Sequence, residues 1–204
     1  MREPSDNALA VAEAIFSSHG GVMRTGEALE AGIHRRTLYW MRDHGKLETL
    51  SRGVFILASA PLPESPDVAA VMRRIPKAVL CLVSALEYHG IGTQIPNAVQ
   101  IALPRNVTPP KFSYPRVQVF SMSDAAFRAG VEEHTMAGAQ FRVYGVAKTV
   151  ADCFKYRNRI GFDIAMEALR EVVRKRAATP SEIMEFARLD KVESVISPYM
   201  AALL

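Results

Sequence analysis

A winged helix-turn-helix followed by a mixed α+β domain with helices at its C-terminal end is the fold class that the 204-residue sequence predicts. Three observations predict it. The first sixty residues are short apolar-periodic segments punctuated by glycine. Three prolines then fall within six positions, Pro61, Pro63 and Pro66. After them, strand-like runs come first and helical runs last. These features divide the chain into residues 1–58, a proline-rich linker over 59–66, and residues 67–204.

Each element follows in order. Asp6 or Asn7 caps a first helix with Leu9, Ala12, Ile15 and Phe16 on one face, and His19-Gly20-Gly21 ends it. Val22 and Met23 have the length of a small edge strand. Thr25 caps a second helix through Leu29 to Ala31, Gly32 breaks it, and Ile33 is buried at the turn. A third helix runs from His34 to His44, with Gly45 beyond its C-terminal end. Leu47–Leu50 is a strand, Ser51-Arg52-Gly53 a tight turn, and Val54–Leu57 the returning strand.

Past the linker, Asp67 caps a helix to Ile75, and Pro76 stops it. Ala78–Val83 is a continuous apolar run, read as a buried strand. Ser84 caps a helix to Gly90. Ala98–Leu103, Val117–Phe120 and Gln140–Tyr144 are strands, the last preceded by an Ala137-Gly138 turn. Helices follow over Ala147–Tyr156 and Ile164–Arg176. Thr179-Pro180-Ser181-Glu182 is a capping box opening a helix to Leu189. Ser197-Pro198 opens a short last one.

Composition narrows the function. Apolar residues make up 49% and charged residues 23%, too apolar for a disordered chain. Cys81 and Cys153 are too few for a disulfide scaffold, and a reducing cytoplasmic compartment is expected. No apolar run approaches the roughly 18 residues of a membrane span. The N-terminus lacks the apolar core of a signal peptide. The net charge is +4. Through Ala58 the bases and acids balance one for one, so the excess of base lies later in the chain.

Within the balanced first part, most bases crowd between Arg35 and Arg52. On a wheel of the third helix, Leu38 and Met41 share one side. Arg36, Tyr39 and Asp43 share the other, flanked by Arg35, Arg42 and Trp40. Arginine makes bidentate contacts to guanine or pairs with phosphate. Thr37 and Tyr39 are phosphate donors that fix register without reading sequence. Thr25 at a helix N-terminus favours an anion, and Arg52 stands at the hairpin tip. A solvated face beside a structural hairpin would carry similar bases; the ordered set of elements favours DNA. The expected DNA-binding residues are Arg24, Thr25, His34, Arg35, Arg36, Thr37, Tyr39, Trp40, Arg42, Lys46 and Arg52. Trp40 is lateral, and the wheel leaves open whether it packs on the wing.

No catalytic signature is legible. His19, His34, His44, His89 and His134 are scattered, with no zinc spacing, P-loop or nucleophile elbow. No acid stands two residues before any lysine, as restriction-type nucleases require. Asp152 and Asp163 alone are too few for a metal pair. The expectation is a binding protein with no catalytic residue, metal or cofactor. A winged-helix-targeted nuclease is the alternative, and an effector-sensing repressor is a third reading. The bases Lys155, Arg157, Arg159, Arg170, Arg174, Lys175 and Arg176 fall on the helices around Gly161. They are either a solubilising surface or a functional face toward RNA, the substrate of a partner, or further DNA.

Longer stretches carry a resemblance. Gly21-Val22-Met23-Arg24-Thr25, Gly32 to Leu38, Gly45-Lys46-Leu47-Glu48 and Arg52-Gly53-Val54-Phe55 resemble the N-terminal domain of AbiEi-type antitoxins. Leu82 to Gly90, Gln94-Ile95-Pro96, Lys148 to Arg157 and Glu167-Ala168-Leu169 resemble that family's C-terminal domain. Family members usually carry glutamate before the lysine, where this chain has Ala147. The resemblance implies a cytoplasmic bacterial type IV toxin–antitoxin system. Its antitoxin represses its own operon, with inverted repeats as the expected operator. Its C-terminal domain counters a nucleotidyltransferase toxin without a stable complex, and the seven later bases become an expected antitoxin face.

Overall fold

The computed structural model describes residues 3–136 and 138–204. It divides into two compact units. The first runs to Pro76 and takes in 110–116 and 134–141; the second holds the remainder.

The first unit opens with α1 (Asp6–Ser18). Ser5, not Asp6 or Asn7, caps it, and its hydroxyl oxygen accepts from Ala8 N–H at 3.3 Å. After β1 (Val22–Arg24) comes α2 (Thr25–Glu30). Thr25 is the first residue of α2 rather than its cap. The capping acceptor is Glu27, which takes the Arg24 N–H at 2.9 Å. Gly32, at φ +93°, then turns the chain in a conformation that glycine adopts without a Cβ penalty. α3 (Arg35–Asp43) follows, with His34 as its cap. β2 (Leu47–Ser51) and β3 (Val54–Leu57) form the wing. The three strands are antiparallel in the order β1-β3-β2. Leu9, Phe16, Met23, Leu38, Met41 and Phe55 are among the side chains of the core beneath them.

The expected linker ends in a helix, α4 (Pro66–Arg74), that belongs to this first unit. Ser65 is its cap position and Asp67 lies in its first turn. The Arg73 guanidinium is buried. It donates to Glu27 Oε2 at 3.1 Å and to the His19 carbonyl at 2.9 Å. Burial lowers the pKa of Arg73, and Glu27 opposes that shift. Proline spacing marks a break in the chain, but only packing shows which core the following helix covers.

In the second unit the apolar run Ala78–Val83 is not one strand. β4 covers only Val79–Leu80, and the chain turns into α5 (Leu82–Tyr88). Leu82 sits at φ +50°, a strained conformation for a bulky residue. Ser84 lies inside α5 rather than capping it. Its hydroxyl oxygen accepts from Gln100 N–H at 3.0 Å, while Gln100 Oε1 accepts from Val83 N–H at 2.8 Å. A side chain remote in sequence thus satisfies the helix start.

β5 (Val99–Pro104) and β6 (Val117–Met122) lead to α6 (Asp124–Arg128) and β7 (Val131–Met136). Neither of these last two carries an apolar periodicity that marks it in the sequence. β8 (Ala139–Tyr144) follows; of the expected Ala137-Gly138 turn, Ala137 lies outside the described residues. The sheet order is β6-β5-β4-β8-β7. β5–β6 and β4–β8 are parallel and β4–β5 antiparallel. Helices α7 (Val146–Lys155), α8 (Arg157–Ile160), α9 (Phe162–Lys175), α10 (Pro180–Leu189) and α11 (Glu193–Leu203) complete the chain. Val150, Cys153, Phe154, Leu169, Val172 and Ile196 of this group share one core with Phe120 and Tyr144.

The capping box of α10 is formed as expected, with Thr179 N–H donating to Glu182 Oε2 and Glu182 N–H to Thr179 Oγ1. α11 begins at Glu193, four residues before the expected start, and carries Pro198 inside it. Next to that proline, the Ser197 hydroxyl donates to Glu193 O at 2.7 Å.

Candidate nucleic-acid interface

α3 is positioned by its buried arc. Leu38 and Met41 are fully enclosed. Thr37 and Trp40 are buried as well, at 6% and 8% exposure. At 100° per residue the arc from Trp40 through Met41 to Leu38 spans about 160°. Trp40 joins a core that includes Leu47, Phe55 and Leu57 of the wing, and its ring stacks on His44 at 3.9 Å. The wing therefore covers a flank of α3 that the wheel left open, and Thr37 is buried on the same arc.

The opposite arc holds Arg35, Arg36, Arg42 and Asp43, all exposed, and half-buried Tyr39. The Tyr39 ring meets Phe55 edge-on at 6.2 Å, and the Arg42 guanidinium lies 4.7 Å from its centroid. Arg42 also pairs with Asp43 at 2.6 Å. His34 Nδ1 accepts from Arg36 N–H at 3.1 Å, so His34 serves the helix start. Thr25 N–H and Oγ1 both donate to Gly53 O, fastening α2 to the wing turn. Lys46 pairs with Glu13 at 2.7 Å, and Arg24 stands 3.5 Å from Glu27. Among the described residues, Arg35, Arg36 and Arg52 are exposed and have no ion pair. Of the eleven expected residues, these three are the cations left open to a ligand.

The seven bases of the second unit are not equivalent. Lys155 pairs with Asp190 at 2.7 Å, and Arg157 donates to Phe154 O at 2.8 Å. Arg159 lies over the Phe120 ring at 4.2 Å. Lys175 binds Glu171 at 2.6 Å and Gly90 O at 2.9 Å. Arg170, Arg174 and Arg176 are exposed, and Arg174 is 3.9 Å from Glu171.

A buried charge network went unread in the sequence. Lys148 on α7 donates to Asp152 one turn on and to Asp190 Oδ2 at 3.1 Å, and Lys155 holds the other Asp190 oxygen. Lys148 and Asp152 are fully buried. Burial pushes the Asp152 carboxyl up to about 8, with Lys148 opposing and Asp190 adding to the shift. Burial alone would raise Asp190 too. The neighbouring Asp152 and the two lysines outweigh it and hold Asp190 below the usual carboxylate range. Cys81 and Cys153 nearby are pushed up by burial, so neither is a ready thiolate. Asp163, weighed with Asp152 as a metal pair, is exposed on α9 while Asp152 faces lysine. The legible signal is the Lys148/Asp152 spacing of four on a helix that also carries Val146, Ala147, Val150, Ala151 and Phe154.

Residues 11–58 match the family described as a transcriptional regulator, AbiEi antitoxin, and residues 78–196 match the AbiEi antitoxin C-terminal domain. The chain belongs to the AbiEi antitoxin family. The first match covers α3 and the wing; the second covers the sheet and the Lys148 network. As a member of this family the chain is a transcriptional regulator of the antitoxin class. No curated protein matches it. Among solved structures it is similar to the RV2827C protein from Mycobacterium tuberculosis, at 16% identity and a TM-score of 0.57, over 100% of this chain and 82% of that one. That likeness concerns the fold. In this family member Ala147 is buried in the second core. No helix among the described residues is long and apolar enough to cross a membrane.

Proposed function

We propose that this AbiEi antitoxin represses its own operon by placing α3 in the major groove of inverted repeats in its promoter. The observation that carries this is the set of three unpaired guanidiniums, Arg35, Arg36 and Arg52, on the open side of a winged helix. Arg35 and Arg36 lie at the N-terminal end of α3, the end that reads base edges in helix-turn-helix proteins. Arg52 meets phosphate from the wing. The second unit opposes a nucleotidyltransferase toxin in the cytoplasm without a stable complex, and does so by binding rather than catalysis. The exposed bases of α9 are its acting surface.

Gel-shift titration with the native promoter tests the first part. Arg36→Ala is expected to cost about 1–3 kcal/mol if it reads a base edge. Unchanged affinity in both Arg35→Ala and Arg36→Ala would remove α3 from the interface. A toxin-rescue assay tests the second. The Arg35→Ala/Arg36→Ala chain should lose repression and still rescue. Charge reversal of Arg170 and Arg174 should abolish rescue, with less than about 0.5 kcal/mol of destabilisation for each exposed site.

A further inference from the structure

An open groove of about 610 Å³ runs along α9, with Gly92 and Thr93 forming its other wall. Its volume is within the range of ligand sites. Three acids line it, and two of them, Glu167 and Glu171, are turned onto the protein's own backbone. Glu167 accepts from the Thr93 N–H and hydroxyl at 3.0 and 2.8 Å. Glu171 accepts from the Gly92 N–H and from Lys175. Asp163 lies over Gly161, where an added Cβ would stand 2.6 Å from its Oδ1. The loop wall is thus held to the helix, and the charges of Glu167 and Glu171 are engaged.

The exposed cations are of the opposite kind. Arg170 is exposed and has no ion pair among the described residues. Arg174 is 76% exposed, and its nearest carboxylate contact is 3.9 Å. At the other end of the groove Phe162 is 41% exposed. It is braced from within by Phe154 at 6.1 Å and by Tyr199 at 5.3 Å. A fixed aromatic ring with one unpaired guanidinium two turns further on, and a loosely paired one a turn beyond it, offers a base a stacking face and offers phosphates two forks. Phe162 to Arg174 is twelve residues of helix, about 18 Å, which is several nucleotides rather than one.

We infer that this groove binds a single-stranded nucleic acid, with a base stacked on Phe162 and the backbone on Arg170 and Arg174. The inference rests on the proposed action of the exposed α9 bases and names the class of ligand they meet. Fluorescence anisotropy of the full chain with an unstructured RNA of about twelve nucleotides, and with the DNA of the same sequence, tests it. Phe162→Ala should weaken binding at least about fivefold, and Phe162→Trp should retain it. Arg170→Ala and Arg174→Ala should each lower the salt slope by about 0.7. Promoter-duplex affinity and thermal unfolding should stay at wild-type values in the two arginine variants. The Arg35→Ala/Arg36→Ala chain should bind the strand normally.

Failure to bind either strand overturns the inference, as does wild-type affinity in Phe162→Ala and in both arginine variants. Loss of strand binding in Arg35→Ala/Arg36→Ala assigns the strand to the winged helix, and AMP binding as tightly as the oligonucleotide reduces the groove to a mononucleotide site. Either result overturns it too. If the α9 variants lose the strand and still rescue from the toxin, the groove stands and the proposed antitoxin role of these bases falls.

Discussion

The two units use the same residue types in opposite ways. On α3, Arg35 and Arg36 stand in solvent without acidic partners, so their charge is available to a ligand and contributes little to folding. On α7, Lys148 is fully buried between Asp152 and Asp190, so its charge is consumed by the fold. The difference is desolvation. An exposed charge keeps its hydration until a partner arrives, whereas a buried one has already lost it and must be paired. A cation count therefore says little about function until burial is known.

The sharpest way to break the comparison is to remove one member of the buried network. Lys148→Met leaves Asp152 and Asp190 facing each other without their shared cation. Breaking a buried pair costs about 3–5 kcal/mol. Arg36→Ala should leave stability within about 0.5 kcal/mol. Urea unfolding of both variants measures the contrast, and equal stability would mean that Lys148 is no more engaged than Arg36. Replacing the acid as well, in Lys148→Met/Asp152→Leu, should recover much of the loss, because the buried carboxyl that has lost its lysine partner is then gone from α7.

The same network gives the second unit a pH signature. Between about 3.8 and about 8 the folded chain keeps a proton on Asp152 that the unfolded chain has lost. The folded state binds more protons across this window, so stability falls as pH rises through it. Asp190, whose pKa is lowered, has the opposite sign. Its contribution is present above the ordinary carboxylate pKa and is lost as pH falls through its folded value, below this window. Asp152→Asn, which mimics the protonated acid, should flatten the slope between pH 4 and 8 in urea titrations at stepped pH. A wild-type slope in that variant would place the titration elsewhere.

These contrasts also explain what was legible in the sequence. The winged helix was legible almost element by element, because its punctuation is local: Gly32, Gly45 and the Arg52-Gly53 turn each fix one boundary. The Val54–Leu57 strand is as expected to the residue. The second unit was less so, because its boundaries are set by remote groups. Gln100 satisfies the start of α5, and the turn at Leu82 ends a run that composition alone reads as strand. α6 and the charged strand β7 carry no apolar periodicity to mark them. In the candidate interface Arg35 and Arg36 were legible from a wheel, while the burial of Thr37 and Trp40 was not, since a wheel contains no wing. The Lys148 network was hidden because Asp190 lies 42 residues away from its lysine.

The smallest expected effect concerns the wing. Arg52 is exposed at the tip of the β2–β3 turn, beside Gly53 at φ +79°. Gly53 O accepts from Thr25 N–H at 2.8 Å, so the base of the turn is fixed to α2 while the arginine itself has no ion pair among the described residues. A guanidinium held at a hairpin tip meets the nearest phosphate, and phosphate contacts position without specifying. Arg52→Ala should therefore weaken promoter and random duplex by the same factor. It should also lower the slope of log affinity against log salt by about 1, where Arg36→Ala also relaxes sequence preference. Titrations at several salt concentrations, with both duplexes, separate the two residues. A loss confined to the promoter would make Arg52 a reader of bases, and the division between a reading helix and a positioning wing would have to be redrawn.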